Sequence, residues 1–202
     1  MQHKYKNDGE IGIDEAGRGP LLGRVYAGAV IWDDNKTFNI MDSKKLTPKK
    51  RAIALEWIKN NVKAWGVGYA TEEEIDKINI LEATKLAMER AIVNLKENFT
   101  LYKNNNDLII DGTKWENKFN NYNVKSIIKG DAKYYSIASA SIIAKEYHDT
   151  YIKDLCKMNE DLNIKYDLIN CMGYGTKKHI DGIVKYGYST YHRKSFVIKS
   201  II

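Results

Sequence analysis

Short apolar runs bounded by polar or turn residues predict five strands in this chain. The first runs from Ile11 to Asp14, and the second is "VYAGAVIW", a nearly continuous apolar run typical of a strand covered on both faces. A third strand is predicted at "KAWGVGYA", a fourth at "LIID" and a fifth at "VKSIIK". The fourth run ends at Asp111, so a charged residue closes an apolar strand.

Capping residues mark the starts of two predicted helices. Thr47 is a candidate N-cap with Pro48 at the first helical position, and Thr71 and Glu74 have the spacing of a capping box. The helix after Thr71 is long, and its inner face is predicted to comprise Leu81, Thr84, Ala87, Met88 and Ala91. A third helix is predicted in "YYSIASASIIAKEYHDTYI", where small residues would let it pack closely on a sheet.

The order of these elements predicts the fold class. Three strands come first, and helices then alternate with two more strands, which favours an α/β domain with an antiparallel portion and parallel crossovers. A length of 202 residues favours one domain over residues 1–202. The polar, turn-rich segment from about residue 159 to 202 is interpreted as a C-terminal elaboration of that domain.

Composition narrows the function only slightly. The chain has 32 Lys and Arg against 26 Asp and Glu, a formal charge of +6, and this basic balance is a weak pointer to a polyanionic partner. A hydrophobic content of 44% argues against a disordered chain. No apolar run is long enough to span a membrane, so we expect a cytoplasmic protein. Cys156 and Cys171 lack metal-ligand spacing and are interpreted as reduced thiols rather than a zinc site.

Four acidic residues stand at or just after predicted strand ends: Asp14, Glu15, Asp111 and Asp131. Acids that converge without matching bases repel one another unless a cation lies among them, and Mg²⁺ or Mn²⁺ prefers carboxylate oxygens. Aspartate also favours turns, so spacing alone leaves an ordinary turn role open for these residues. Asp14 and Asp111 stand out because each ends an apolar run, where a lone charge is unfavourable.

Asp14 and Glu15 are neighbours on one strand, and neighbouring side chains on a regular strand point to opposite faces. Both side chains therefore cannot aim at one metal ion while the strand stays extended. We expect Glu15 to contribute differently from Asp14, in part through its backbone carbonyl.

Seven motifs in order along the chain resemble the ribonuclease HII family. They are "GIDEAGRGPLLG", "DSKKLTPKKR", "INILEATKLAMERAI", "LIIDGTKW", "KGDAKYYSIASASIIAKEYHD", "GYGTKKH" and "YGYSTYHRKSF". The chain departs from the family pattern at Arg24 and Tyr26, where smaller or apolar residues are usual, and at His148, where an arginine is usual. None of these departures touches the four acids.

The resemblance implies a ribonuclease H-like fold, with a five-stranded mixed sheet flanked by helices and a small helical C-terminal part. It implies an endoribonuclease that hydrolyses the RNA strand of RNA/DNA hybrids and cuts 5′ of single ribonucleotides in duplex DNA, leaving 3′-hydroxyl and 5′-phosphate ends. The implied cofactors are Mg²⁺ or Mn²⁺, two ions with substrate bound. The implied substrates are RNA/DNA hybrids and ribonucleotide-containing duplex DNA. We expect a monomer, and no sliding-clamp motif is evident in the sequence.

The resemblance also implies roles for individual residues. The catalytic metal ligands fall on Asp14, Glu15, Asp111 and Asp131, and the segment that reads the ribose 2′-hydroxyl falls on Gly17, Arg18 and Gly19. The tyrosine that stacks at the ribonucleotide junction falls on Tyr174. Independently of the family, glycines let a backbone approach a sugar closely, and hydrogen bonds to the 2′-hydroxyl distinguish RNA from DNA.

Basic clusters are candidates for contacts with backbone phosphates, although most surface lysines only face solvent. These clusters are Lys44 and Lys45, Lys49 to Arg51, Lys177 and Lys178, and Arg193 and Lys194. The four histidines lack the context of an acid–base pair, which disfavours a metal-independent ribonuclease. A non-catalytic module that binds hybrids or duplexes on the same fold is the alternative function, since fold alone does not fix activity. A related nuclease that needs runs of several ribonucleotides is a third.

Overall fold

The computed structural model describes residues 4–5, 9–36 and 46–198. Its central sheet has five strands: β1 (Ile11–Ala16), β2 (Val25–Ile31), β3 (Ala64–Ala70), β4 (Asp107–Asp111) and β5 (Asn123–Ile127). The helices are α1 (Pro48–Asn61), α2 (Glu72–Asn98), α3 (Tyr135–Met158), α4 (Glu160–Tyr166), α5 (Leu168–Cys171) and α6 (Lys177–Tyr186). Short 3₁₀ turns cover Thr100–Tyr102 and Gly130–Ala132.

The sheet is mixed, as the order of elements predicts. The strand order is β3-β2-β1-β4-β5, with β1, β2 and β3 antiparallel and β1, β4 and β5 parallel. The carboxyl ends of β1, β4 and β5 therefore lie along one edge, because parallel strands end on the same side of a sheet. The acids that follow these strands are brought to that edge.

Two helical layers cover the sheet, and alternate residues of each strand face one layer or the other. On β1, Ile11 and Ile13 belong to a core with α2, while Gly12 contacts Ser136 of α3. On the α3 face the two layers come very close, and a Cβ at Gly28 would overlap the carbonyl oxygen of Ala140. The small residues of α3 thus give the close packing that the sequence predicts.

Both predicted helix starts are confirmed. The Thr47 hydroxyl accepts a hydrogen bond from the amide of Lys50 at 3.3 Å, with Pro48 as the first helical residue. At the start of α2, Thr71 Oγ1 accepts from the amide of Glu74 at 3.2 Å and Glu74 Oε2 accepts from that of Thr71 at 2.9 Å. These reciprocal bonds form the expected capping box.

The predicted inner face of α2 is wrong at its first position, because Leu81 is exposed. The helix is interrupted at Asn79, whose φ of 68° is left-handed and whose side chain accepts a hydrogen bond from the Leu81 amide at 2.9 Å. Leu81 thus stands in the first turn of a restarted helix with a new phase. The buried positions after the break are Ala83, Thr84, Ala87, Met88, Ala91, Ile92 and Leu95.

The C-terminal helices have a buried cluster of their own, which includes Leu22 from the loop after β1 and residues of α3, α4, α5 and α6. Cys156 and Cys171 are buried in this cluster and are free thiols, as predicted. The single-domain interpretation of residues 1–202 stays a prediction. Within the described ranges, no helix is long and apolar enough to cross a membrane.

Candidate active site

Asp14 lies near the end of β1 with its carboxylate buried on the α3 side of the sheet. Its partner in the β1–β2 register is Gly28, which packs against α3. Asp14 Oδ1 accepts a hydrogen bond from the amide of Glu15 at 2.8 Å. Burial raises the pKa of Asp14 well above its usual range, and the neighbouring charges of Glu15 and Asp111 raise it further. The carboxylate thus sits where negative charge is already concentrated.

Glu15 continues the same strand, and its side chain starts on the opposite face. The register is unbroken here, with Asp14 opposite Gly28 and Glu15 opposite Ala27, which belongs to the core with α2. Glu15 Oε1 accepts a hydrogen bond from Arg18 Nη1 at 3.0 Å. The two side chains start on opposite faces of the strand, but Glu15 also lines a groove with Ser141 and Lys145 of α3. The role of Glu15 stays a prediction.

Asp111 ends β4, and its surroundings hold the loop that follows. Asp111 Oδ1 accepts from the amide of Gly130 at 2.7 Å, and the Asp111 carbonyl accepts from the indole N–H of buried Trp115 at 3.0 Å. Asp131 follows Gly130 in a 3₁₀ turn and is buried. The hydrogen bond from Gly130 thus ties the turn that carries Asp131 to the end of β4.

The carboxylates of these acids are suitable ligands for a divalent metal ion, although they do not surround a metal position by themselves. In the ranges that the structure describes, no group of three or more acidic, histidine or cysteine side chains has the geometry to hold a metal ion by itself. Asp14, however, is buried beside two further negative charges, which favours a bound cation. Mg²⁺ and Mn²⁺ sites commonly use only a few carboxylates, and water and substrate phosphate complete the shell.

The turn after β1 lies beside these acids and against Tyr174. A cavity of about 230 Å³ is lined by Glu15, Ala16, Gly17, Arg18, Ser141, Lys145 and Tyr174. The ring of Tyr174 lies close to Gly19, where a Cβ would come within 3.3 Å of ring atom Cε1. Tyr174 is 43% exposed, so part of its ring is accessible to a ligand. The structure thus brings the turn of Gly17 to Gly19, Glu15 and Tyr174 to one groove.

Some of the predicted phosphate-contact residues are exposed and others are buried. Lys44 and Lys45 lie outside the described residues. Lys49, Lys50, Lys177, Lys178 and Lys194 are exposed. The prediction is wrong for two arginines: Arg51 is buried and pairs with Glu146 and Asp149, and Arg193 has no exposed surface. A buried guanidinium cannot meet a phosphate on a duplex.

Sequence reasoning missed three polar residues of α3 near the site: Ser141, Lys145 and His148. Ser141 hydrogen-bonds the Asp14 carboxylate, and Lys145 lines the groove. His148 is fully buried against Gly17. Their spacing of i, i+4 and i+7 places them on one helical face, and this polar stripe, which begins within the small and apolar first half of the helix, is the signal that could have identified them.

A mixed five-stranded sheet with acids at the carboxyl edge of its central strands, beside a groove, is typical of proteins with the ribonuclease H-like fold. The Ribonuclease HII family model matches residues 11–199. Ribonuclease HII of Rickettsia akari (strain Hartford) is 46% identical over 198 residues, which cover 97% of this chain and 95% of that protein. The chain therefore belongs to the ribonuclease HII family.

Solved structures agree with this fold. The crystal structure of the ribonuclease H2 from Pyrococcus horikoshii OT3 superposes with a TM-score of 0.66 at 23% identity and covers 92% of each chain. The crystal structure of Bst-RNase HIII in complex with Mn²⁺ superposes with a TM-score of 0.69 at 19% identity, covering 93% of this chain and 67% of that one. Membership of the family makes this protein a divalent-metal-dependent endoribonuclease that acts on RNA/DNA hybrids.

Proposed function

We propose that this protein cuts duplex DNA on the 5′ side of a single embedded ribonucleotide and leaves 3′-hydroxyl and 5′-phosphate ends. The observation that carries the proposal is the adjacency of Asp14 to the turn of Gly17 to Gly19, with the ring of Tyr174 against that turn. A site that reads one sugar next to the acids needs only one ribonucleotide. This adjacency favours the proposal over a nuclease that needs a run of them.

The proposed metal ligands are Asp14, Glu15, Asp111 and Asp131, holding Mg²⁺ or Mn²⁺, with two ions when substrate is bound. When bound, such ions lower the pKa of a water and offset negative charge at the reacting phosphate. The chain itself fixes the donors: Ser141 and the amide of Glu15 orient the Asp14 carboxylate, and the Gly130 amide orients Asp111. The Glu15 carbonyl is the proposed route by which this residue contributes.

The proposed sugar contacts come from the turn and from Tyr174. Backbone groups of Gly17, Arg18 and Gly19 would hydrogen-bond the 2′-hydroxyl, since no side chain stands between a glycine backbone and the sugar. The exposed part of the Tyr174 ring would stack on the neighbouring sugar or base. Lys44 and Lys45 remain proposed phosphate contacts. The chain is also proposed to act as a monomer, which light scattering of the pure protein would test, and to act in the cytoplasm.

The test is incubation with a labelled DNA duplex that contains one ribonucleotide, in Mg²⁺ or Mn²⁺, with the product ends mapped. We expect one cut 5′ of the ribonucleotide, none after EDTA, and none with Asp111→Asn. Asp107→Asn is the matched control, because Asp107 begins the same strand, at the end away from the site, and this variant should cut normally. Cleavage only of duplexes with several consecutive ribonucleotides would contradict the proposal, and salt-sensitive binding without any cleavage would favour the binding module.

A further inference from the structure

Among the residues that the structure describes, Arg193 is the largest fully buried side chain, and its guanidinium binds the turn after β1. Four hydrogen bonds join it to backbone carbonyls: Nε to Gly23 at 2.7 Å, Nη1 to Arg18 at 3.0 Å and Pro20 at 2.8 Å, and Nη2 to Gly17 at 2.5 Å. Among the described residues no carboxylate lies within ion-pair distance of it. Burial lowers the pKa of Arg193 to about 10, so the group stays charged at neutral pH.

Backbone hydrogen bonds attach the same turn to the C-terminal segment on both sides of α6. The amide of Leu21 donates to the carbonyl of Gly173 at 2.8 Å, and the amide of Arg193 donates to the carbonyl of Leu21 at 2.9 Å. The amide of Gly23 donates to the carbonyl of Tyr191 at 2.9 Å. The turn and the residue before Tyr174 are therefore held as one unit, with Arg193 at its centre.

The hydrogen bonds from Arg193 fix the orientation of the peptide groups in the turn. In a trans peptide the C=O and the following N–H point in opposite directions. Because the carbonyls of Gly17 and Arg18 point inward to Arg193, the N–H groups of Arg18 and Gly19 point outward. In the part of the chain that the structure describes, neither N–H donates to a protein acceptor. Both residues are exposed.

We propose that Arg193 is a positioning residue for ribose recognition: it orients and polarises the N–H groups of Arg18 and Gly19 as the donors that meet the 2′-hydroxyl. This inference rests on the proposed function. A cation bound to a carbonyl draws electron density along the peptide, which strengthens the N–H at its other end as a donor. Arg193 thus acts through the turn and does not touch the nucleic acid.

The test compares two otherwise identical fluorescent duplexes, one all DNA and one with a single ribonucleotide, by anisotropy in Ca²⁺ and by cleavage in Mg²⁺. Arg193→Met removes charge and donors, and Arg193→Lys keeps a charge but lacks the planar fork. We expect Arg193→Met to lower the preference for the ribonucleotide duplex about tenfold, the effect of one net hydrogen bond, with Arg193→Lys between it and the wild type. Shifts of the Arg18 and Gly19 amide resonances should accompany the loss.

Leu95→Ala is the matched control, because it opens a cavity in the core between the sheet and α2, a cluster that contains no residue of the turn. It should lower the melting temperature and leave the preference unchanged. An Arg193→Met or Arg193→Lys variant with a lower melting temperature but the wild-type preference for the ribonucleotide duplex would overturn the inference. If Arg193→Met does not fold, the preference of Arg193→Lys is the test. A wild type without any preference for the ribonucleotide duplex would instead contradict the proposed function.

Discussion

The imidazole ring of His148 lies directly beneath Gly17. A Cβ at Gly17 would overlap the ring and would come within 2.8 Å of the Arg24 carbonyl oxygen. His148 is held in turn by Asp149, whose Oδ1 lies 3.0 Å from His148 Nδ1. The turn therefore packs directly on the imidazole of His148 from α3, and only a residue without a side chain fits at position 17.

Gly17→Ala tests this contact. Gly17 has a φ of +88°, so alanine would add backbone strain to the overlap with His148. We expect unfolding free energy to fall by about 2–3 kcal/mol in urea titrations, and cleavage at a single ribonucleotide to fall at least about tenfold.

Gly187→Ala is its control. Gly187 also has a positive φ, +76°, but nothing lies within 4 Å of a Cβ there. This variant should lose only about 1–2 kcal/mol of stability from strain and should cut normally. Equal effects of the two substitutions on cleavage would show that the His148 contact does not position the turn.

The proposed contribution of Glu15 through its backbone carbonyl predicts unequal effects of removing the charges of Asp14 and Glu15. Asp14→Asn takes the negative charge from a buried group at the site, and we expect kcat to fall more than about a hundredfold. Glu15→Gln leaves the backbone carbonyl in place, and we expect a loss of about tenfold or less. Single-turnover cleavage in Mn²⁺ measures both, and similar losses would show that the Glu15 side chain acts like that of Asp14.

The sequence predicts what depends on local pattern. The capping box of Thr71 and Glu74 and the end of β4 at Asp111 follow from short-range rules of helix and strand formation, whereas β1 continues to Ala16, beyond the predicted end at Asp14. The exposure of Leu81 could not be predicted, because it depends on a left-handed Asn79 that resets the helical phase.

The role of Arg193 was likewise beyond local pattern. Its carbonyl partners lie 170 to 176 positions earlier in the chain, and a cluster of basic letters does not reveal that one of them is buried. The motif order identifies the family. Only the packed structure shows that a C-terminal arginine holds an N-terminal turn.

Asp149 should be important for stability because it is a buried carboxylate with several donors. It accepts from Arg51 Nη2 at 3.0 Å and from Lys145 Nζ at 2.7 Å. Asp149→Asn removes one of the two carboxylates that pair with buried Arg51, the other being Glu146, and we expect a loss of about 2–3 kcal/mol in chemical denaturation. On the same helix, Asp154 pairs with Lys157 in solvent, so Asp154→Asn should cost about 1 kcal/mol or less. A small loss for Asp149→Asn would mean that water reaches the network.

His192 and His179 form a buried hydrogen-bonded chain that ends at Tyr174. His192 Nδ1 accepts from the amide of Ser189 at 2.9 Å, so the ring proton is on Nε2, which lies 3.0 Å from His179 Nε2. His179 Nδ1 then donates to the Tyr174 carbonyl at 3.0 Å. A second proton on either ring would place two N–H groups against each other, so the chain exists only with neutral rings.

This arrangement predicts a loss of stability in mild acid. Burial, with a smaller contribution from His179, lowers the pKa of His192 to about 3, whereas the unfolded chain has a histidine pKa of about 6.5. Between these values only the unfolded chain gains the proton, so stability falls as the pH falls through this window, by about 2 kcal/mol at pH 5. His192→Asn keeps an acceptor for Ser189 but cannot titrate. The unfolding free energy of both proteins is measured in guanidinium from pH 7.5 to pH 5. That of His192→Asn should be lower than that of the wild type at neutral pH but should change less with pH. An equally steep change in both proteins would assign the acid sensitivity to other groups.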